Sequence, residues 1–278
     1  MEYRVFSPGQ TLKPLVKCYW TLAGDVADPA TRQRIVPDGC QELIFHCGDP
    51  YRQYLNDDRS LVQPRCFVIG QLSEPLEIEA LGKTEIFAAR FWPDGLNYFI
   101  SIEPEALTDT AVPINDVWGD TATELADAIL NSSTTLERIE HVERFLIGRL
   151  KDQALIDQAL RRAIDSLYQT AGQCAISGVA ESLDISAKHL ERKFKSKIGL
   201  TAKKLARLIR LQTTICQLTR DPRQSLTTVA LRGQYFDQSH FIKEFREFTG
   251  LTPKQFFGEH LQLSQLFSQD SNNYPPRA

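Results

Sequence analysis

In residues 1–91 the apolar positions come in short runs: Leu15–Leu22, Glu42–Cys47, Arg65–Gly70, Leu76–Leu81 and Glu85–Phe91. Turn-forming clusters such as Pro37-Asp38-Gly39 and Gly48-Asp49-Pro50 separate them. Short β-rich runs at this spacing predict strands of a barrel or sandwich. The pattern is then interrupted by Pro93, Pro104 and Pro113 over 94–118. Beyond it the apolar period becomes helical, predicting helices over 120–130 and 134–150. In the second of these, Leu136, Ile139, Val142, Phe145, Leu146 and Leu150 form one stripe. Such a stripe either packs on the β domain or meets a second copy of the chain. Helical periodicity dominates from 153 to 260, and the remaining residues, 261–278, are polar enough to be expected disordered.

Within the helical part the chain repeats itself. Phe194/Phe245, Gly199/Gly250, Leu200/Leu251, Thr201/Thr252 and Lys203/Lys254 each recur 51 positions apart, as do His189/His240 upstream. A unit used twice is too little for a solenoid and predicts a paired device. In the first copy a short helix, Ile176–Ser182, with Ala180 facing inward, leads to a turn at Leu183–Ile185. Ser186 then suits the N-cap, where its oxygen accepts a free backbone N–H. The helix that follows, about 187–197, buries Leu190 and Phe194 and ends at Gly199. The second copy runs Leu226–Leu231, Ala230, cap Asp237, core pair Phe241 and Phe245, stop Gly250. It is longer by one residue between the small residue and the cap: seven steps from Ala230 to Asp237 against six from Ala180 to Ser186. A helix over 201–219 joins the copies, with Lys203, Lys204, Arg207 and Arg210 as its basic positions. At 1.5 Å per residue it is about 28 Å long, comparable with the ~34 Å between successive major-groove faces of B-DNA.

Charge sharpens this picture. The formal net charge is −3, but residues 158–258 hold 17 Lys and Arg against 8 Asp and Glu, and the rest 15 against 27. A basic C-terminal part joined to an acidic N-terminal one implies a polyanion partner for the former. No apolar stretch reaches the ~18 residues of a membrane span, and the N-terminus lacks the layout of a secretory signal, so cytoplasmic residence is expected. The six cysteines show no metal-finger spacing and are expected to be reduced thiols. His46 adjoins Cys47, but neighbours in a strand face opposite sides, which argues against a shared metal.

The segment SAKHLERKFKSKIGLT, the IRLQ at 209–212 and FDQSHFIKEFREFTGLTPKQF at 236–256 resemble the AraC/XylS-type transcription regulators, whose DNA-binding domain is a double helix-turn-helix. The resemblance implies an all-α domain of seven helices over 153–260 that binds double-stranded DNA sequence-specifically. Carried over, the groove-facing residues are Lys188, Glu191 and Arg192, with Lys195 beside them, in the first reader. In the second they are Gln238, Ser239 and Lys243. His189 and His240 lie near the DNA backbone or support the helix. Gln can pair bidentately with adenine and Lys or Arg with guanine; Glu191 either accepts from cytosine or pairs with Lys188 or Lys195. Two positions depart from the family pattern. Gln234-Tyr235 stands where Gly-Phe or Gly-Tyr is usual, with Gly233 one place early, so a remodelled second turn is expected. Ala202 replaces a common proline.

Residues 1–118 resemble a β-rich domain of unassigned role often fused to such readers, through Tyr19-Trp20, the run 35–44, Gly70-Gln71 and Ala89-Arg90-Phe91. Asp38, Glu42 and Arg90 are candidates for a ligand pocket, the alternative being turn chemistry and a structural ion pair. The whole reads as α+β: a mainly-β barrel- or sandwich-like sensor or assembly domain (1–118), trailing helices (119–152), and the reader. Beyond DNA, the candidate partners are a small-molecule effector, a second copy of the chain, and RNA polymerase; no cofactor or metal is implied. The alternative is a DNA-binding protein whose N-terminal domain only assembles. Enzyme readings fit poorly. A cupin-type oxygenase needs several metal ligands, yet His46 is the only histidine in 1–140. An alkyl-transfer repair protein needs an activated cysteine in a Pro-Cys-His-Arg motif that is absent.

Overall fold

The computed structural model describes residues 1–24, 32–55, 59–150, 157–221 and 223–258. The strands among them are β1 (Glu2–Phe6), β2 (Val16–Gly24), β3 (Gln33–Ile35), β4 (Gln41–His46), β5 (Tyr51–Tyr54), β6 (Ser60–Val62), β7 (Cys66–Ile69), β8 (Leu76–Ala80), β9 (Thr84–Phe91) and β10 (Ala111–Pro113). They form two antiparallel sheets, one in the order β1-β2-β9-β4-β7-β10 and one in the order β3-β8-β5-β6. The expected barrel is not closed; the sandwich form is what is present.

Strand alternation explains the layering. Tyr19, Leu43, Phe45, Phe87, Ala89 and Phe91 point to one face of the six-stranded sheet, into a core shared with helices. Their neighbours Cys18, Trp20, Leu22, Ile44, Ile86 and Ala88 point to the other, against Tyr51 and Ile78 of the second sheet. A sheet covered on both faces is written as near-continuous apolar runs. The strands legible in the sequence are mostly these. The helical cover consists of α1 (Ile114–Trp118), α2 (Thr121–Asn131) and α3 (Thr135–Ile147). Helix α3 starts in a capping box between Thr134 and Glu137, and its stripe packs on this core through Val142 and Leu146, with Leu136 left exposed. Glu143 of α3 ties back to the sheet, accepting from the Gly9 amide at 2.6 Å and the Tyr19 hydroxyl at 3.3 Å.

Seven helices follow among the described residues: α4 (Gln158–Gln169), α5 (Ile176–Ser182), α6 (Ala187–Ile198), α7 (Ala202–Arg220), α8 (Leu226–Arg232), α9 (Gln238–Thr249) and α10 (Pro253–Gly258). They build two small cores on opposite sides of α7. Leu205 and Ile209 join Leu160, Ala180, Leu190 and Phe194, whereas Leu208, Leu211 and Ile215 join Ala230, Phe241, Phe245 and Phe256. Val36 of the β domain enters the second core. The expected boundary near 152–153 and the expected tail 261–278 lie outside the described residues.

Candidate nucleic-acid interface

Each reading helix is defined by the same two signals at its ends. The Ser186 hydroxyl accepts from the His189 amide at 3.1 Å, and the Asp237 carboxylate from the His240 amide at 2.7 Å. Gly199 (φ +95°) and Gly250 (φ +72°) close α6 and α9 in the left-handed conformation, as glycine does at no steric cost. Leu190 and Phe194, and likewise Phe241 and Phe245, are fully buried, which turns the opposite face of each helix to solvent.

The two turns superpose in kind up to one residue. Asp184 (φ 55°) and Gln234 (φ 52°) both take the left-handed conformation. The next amides, of Ile185 and Tyr235, then donate to the carbonyls of Ala180 and Ala230 at 3.1 and 2.9 Å. The second turn is therefore not remodelled. Gln234 adopts the conformation that glycine supplies elsewhere, at a cost of about 1–2 kcal/mol for a side chain with a Cβ. The extra residue of the second copy is Phe236, inserted between Tyr235 and the cap and 90% exposed. Its amide donates to His240 Nδ1 at 3.3 Å, while the His240 ring lies edge-on to Tyr235.

The expected groove-facing residues divide accordingly. Lys188, Arg192, Ser239 and Lys243 are exposed on the outer faces of α6 and α9, and Arg192 donates to His189 Nδ1 at 3.2 Å. Gln238 is exposed but engaged, its Oε1 accepting from the Thr227 hydroxyl at 2.8 Å. Glu191 and Lys195 do different work from that expected. The Glu191 carboxylate accepts from the amides of Ala202 and Lys203 at 2.8 and 3.3 Å. It caps the positive end of α7 and is not paired with Lys188 or Lys195. Lys195 turns to the β domain and pairs with Glu105 at 2.8 Å. Arg246 extends the exposed basic face of α9 and was not foreseen.

Arg207 and Arg210 of α7 are braces. Arg207 Nε bonds Glu244 at 2.7 Å and its terminal nitrogens grip Glu247, while Arg210 bonds both Glu244 oxygens at 2.8 Å. Arg207 also lies over Phe248 and Arg210 over Tyr235. The bonds to Glu247 and then Glu244 push the Arg207 pKa up despite partial burial, and the bond from Arg207 holds that of Glu247 down. Glu244 is 2% exposed. The sequence signal was available in the matched three-residue spacings Arg207/Arg210 and Glu244/Glu247.

The β domain touches both readers. Gln41 donates to the Ile198 carbonyl (3.2 Å) and Thr108 to the Gly199 carbonyl (3.2 Å), at the end of α6. A Cβ on Gly199 would come within 2.9 Å of both Thr108 and the Pro104 carbonyl, so only glycine admits this approach. Arg34 donates to the Thr249 carbonyl at the end of α9 (3.3 Å), and Gln212 of α7 donates to the Pro37 carbonyl (2.7 Å). In the Pro37–Cys40 turn a Cβ on Gly39 would meet Leu205 of α7 at 2.9 Å.

Asp38, Glu42 and Arg90 do come together, as an ion-pair cluster. The Arg90 side chain, 3% exposed, lies 2.6 Å from Glu42 and 3.4 Å from Asp38. Asp38 also accepts the Cys40 amide at 2.9 Å, the turn chemistry posed as the alternative. Of the three, Glu42 lines the cavity between the sheets. Burial pushes the Cys40 thiol up to about 12. His46 faces the space between the sheets and Cys47 the helical side. No group of three or more His, Cys, Asp or Glu suited to a metal, and no helix long and apolar enough to cross a membrane, occurs among the described residues.

Comparison with known proteins agrees with this geometry. Residues 4–113 match a family described as a domain of unknown function, DUF6597, and residues 179–259 match a helix-turn-helix domain family. An uncharacterized HTH-type transcriptional regulator of Staphylococcus aureus strain MSSA476 is 25% identical over 103 residues, covering 37% of this chain and 14% of the relative. The chain thus spans a small part of the length of the curated relatives it matches. Among solved structures, ToxT of Vibrio cholerae aligns with a TM-score of 0.47 at 8% identity, covering 86% of this chain and 98% of that one. The C-terminal domain of AraT, a response regulator from Geobacillus stearothermophilus, aligns with a TM-score of 0.34 at 24% identity, covering 37% and 85%. Residues 179–259 thus carry a helix-turn-helix domain, and its two capped helices after matched turns resemble the DNA-binding domain of AraC/XylS-type transcription regulators.

Proposed function

We propose that the chain is a one-component transcription regulator in which α6 and α9 read two neighbouring half-sites of double-stranded DNA. Lys188, Arg192, Ser239, Lys243 and Gln238 are the base- and phosphate-contacting residues of this reading. The β domain, on binding a small molecule, sets how the two helices are held. The observation that carries the coupling is the set of four hydrogen bonds from the β domain to the ends of both readers and to α7. At about 1 kcal/mol net each, they total about 4 kcal/mol, short of the ~5.5 kcal/mol that turns a 1:99 population into 99:1 but enough for a large shift. A ligand with different affinity for the docked and undocked states can therefore move the readers between them.

The test is selection of bound sequences from random DNA by the full chain. Two half-sites about one helical turn apart are expected. Arg192→Ala should relax base preference in one half-site, costing about 1–3 kcal/mol there. Equal loss on every sequence would make Arg192 a phosphate contact, and enrichment of no sequence would overturn the proposal.

An assembly role for the β domain is favoured by a separate observation. Leu136 and Ile147, 66% and 47% exposed, lie on one face of α3. Sedimentation that shows a dimer, lost in Leu136→Glu, would support it.

A further inference from the structure

Between the two sheets lies a cavity of about 60 Å³, lined by Trp20, Leu22, Ile44, Ile78, Ile86 and His46 among others. One water needs ~15 Å³ on this measure, so there is room for a small organic molecule. The lining is almost wholly apolar, and apolar cavities hold water poorly. Glu42, Tyr51 and Gln63 are polar exceptions, and the fourth is His46. It is 1% exposed and lies between Tyr51 and Phe67, with ring centroids 5.5 Å from each. Its Nε2 donates to Gln63 Oε1 at 3.2 Å, and the Gln63 amide donates onward to Gln53 Oε1 at 3.3 Å, which orients the Gln63 carbonyl toward the imidazole. Nδ1 is thereby left as an acceptor, buried and without a hydrogen-bond partner. Burial lowers the His46 pKa to about 4, with the Gln63 bond opposing and Arg65 adding to the shift, so the ring is neutral at pH 7. A buried acceptor left unmet costs about 1–3 kcal/mol.

We propose that this cavity binds a small, neutral, mostly apolar molecule carrying one hydroxyl or N–H, which donates to His46 Nδ1. An anion is disfavoured by the Nδ1 lone pair and by the net negative charge of the Asp38–Glu42–Arg90 cluster, of which Glu42 is on the same lining. A polyhydroxylated molecule would bury further donors without partners. The site deepens the regulator reading and rests on it for its consequence. Ile35 lines the cavity, while its neighbours in sequence hold the second reader: Arg34 bonds the Thr249 carbonyl and Val36 sits in the core of α7–α10. A molecule pressing on Ile35 acts on that hold.

The experiment uses the full chain with phenol, isobutanol and fluorobenzene, the last being phenol with its donor replaced by fluorine. Calorimetry should show saturable binding of phenol or isobutanol at one per chain, with phenol at least tenfold tighter than fluorobenzene. The ¹⁵N signal of His46 Nδ1 should move with phenol and stay with fluorobenzene, and His46→Phe should abolish the preference. No saturable binding of either alcohol, equal affinity for phenol and fluorobenzene, or an unmoved Nδ1 signal would overturn the proposal; the last measurement stands even where the variant does not fold. DNA affinity measured on the same samples separates the two readings. Phenol binding that leaves DNA affinity unchanged removes the coupling and keeps the site, whereas DNA binding without phenol binding removes the site alone.

Discussion

The two reading helices share caps, buried aromatic positions and glycine stops, but they are held by different parts of the molecule. Helix α6 is docked on the β domain through Gln41, Thr108 and Glu105, and its own Glu191 anchors the start of α7. Helix α9 is held chiefly by α7, through Arg207 and Arg210 around Glu244, with Arg34 as its bond to the β domain. A duplicated sequence thus fixes how a helix starts, stops and buries itself. What braces it depends on positions where the copies differ, such as Glu191 against Ile242 and Lys193 against Glu244. The β domain thus bears on α6 through Gln41, Thr108 and Glu105, and on the second reader through Arg34 and Val36.

This contrast can be broken most strongly at Glu244. Glu244→Ala leaves Arg207 and Arg210 without their shared carboxylate, and breaking such a buried pair costs about 3–5 kcal/mol. Partial exposure of the arginines places the expected loss at the low end of that range. Urea unfolding should show it, and footprinting should show the second half-site lost while the first is kept. The caps should behave alike. Ser186→Ala and Asp237→Ala are each expected to cost about 1 kcal/mol, and a large inequality between them in thermal unfolding would mean that the helices are not equivalent in their starts. Next in size is Gln234→Gly, which removes left-handed strain at some cost in chain entropy. A net gain below about 1 kcal/mol is expected, with less for Asp184→Gly, since Asp tolerates this conformation better. The smallest effect on stability belongs to Phe236→Ser, within about 0.5 kcal/mol for an exposed position. If Phe236 is part of the DNA face, gel-shift titration should nevertheless show weakened binding at the second half-site alone; unchanged affinity would make the insertion a spacer.

Legibility followed local physics. Helices α2, α3 and α5–α9, the caps Ser186 and Asp237 and both glycine stops could be read in advance, because capping and helical periodicity depend on residues a few positions apart. Strands β2, β4, β7, β8 and β9 were legible as apolar runs. Strands β1, β3, β5, β6 and β10 were not, being short, mixed in character or defined by their partners across a sheet. The ligand cluster drawn from Asp38, Glu42 and Arg90 shows the limit well. The three residues do meet, but as cross-strand partners Glu42 and Arg90 close on each other and on Asp38, and it is Glu42 that reaches the lining of the space between the sheets, which His46 shares.

By itself the sequence determined that two capped helices follow two tight turns, 51 residues apart, behind a β-rich domain. Those features are written within single helical turns and strand alternations. Only the tertiary structure decided that Lys195 and Glu191 serve docking and capping, that Arg207 and Arg210 are braces, and that His46 keeps an open acceptor in an apolar cavity. Each of those outcomes depends on which group is brought alongside from 11 residues away, as for Glu191 and Ala202, to 90, as for Lys195 and Glu105, and at that range periodicity along the chain carries no information.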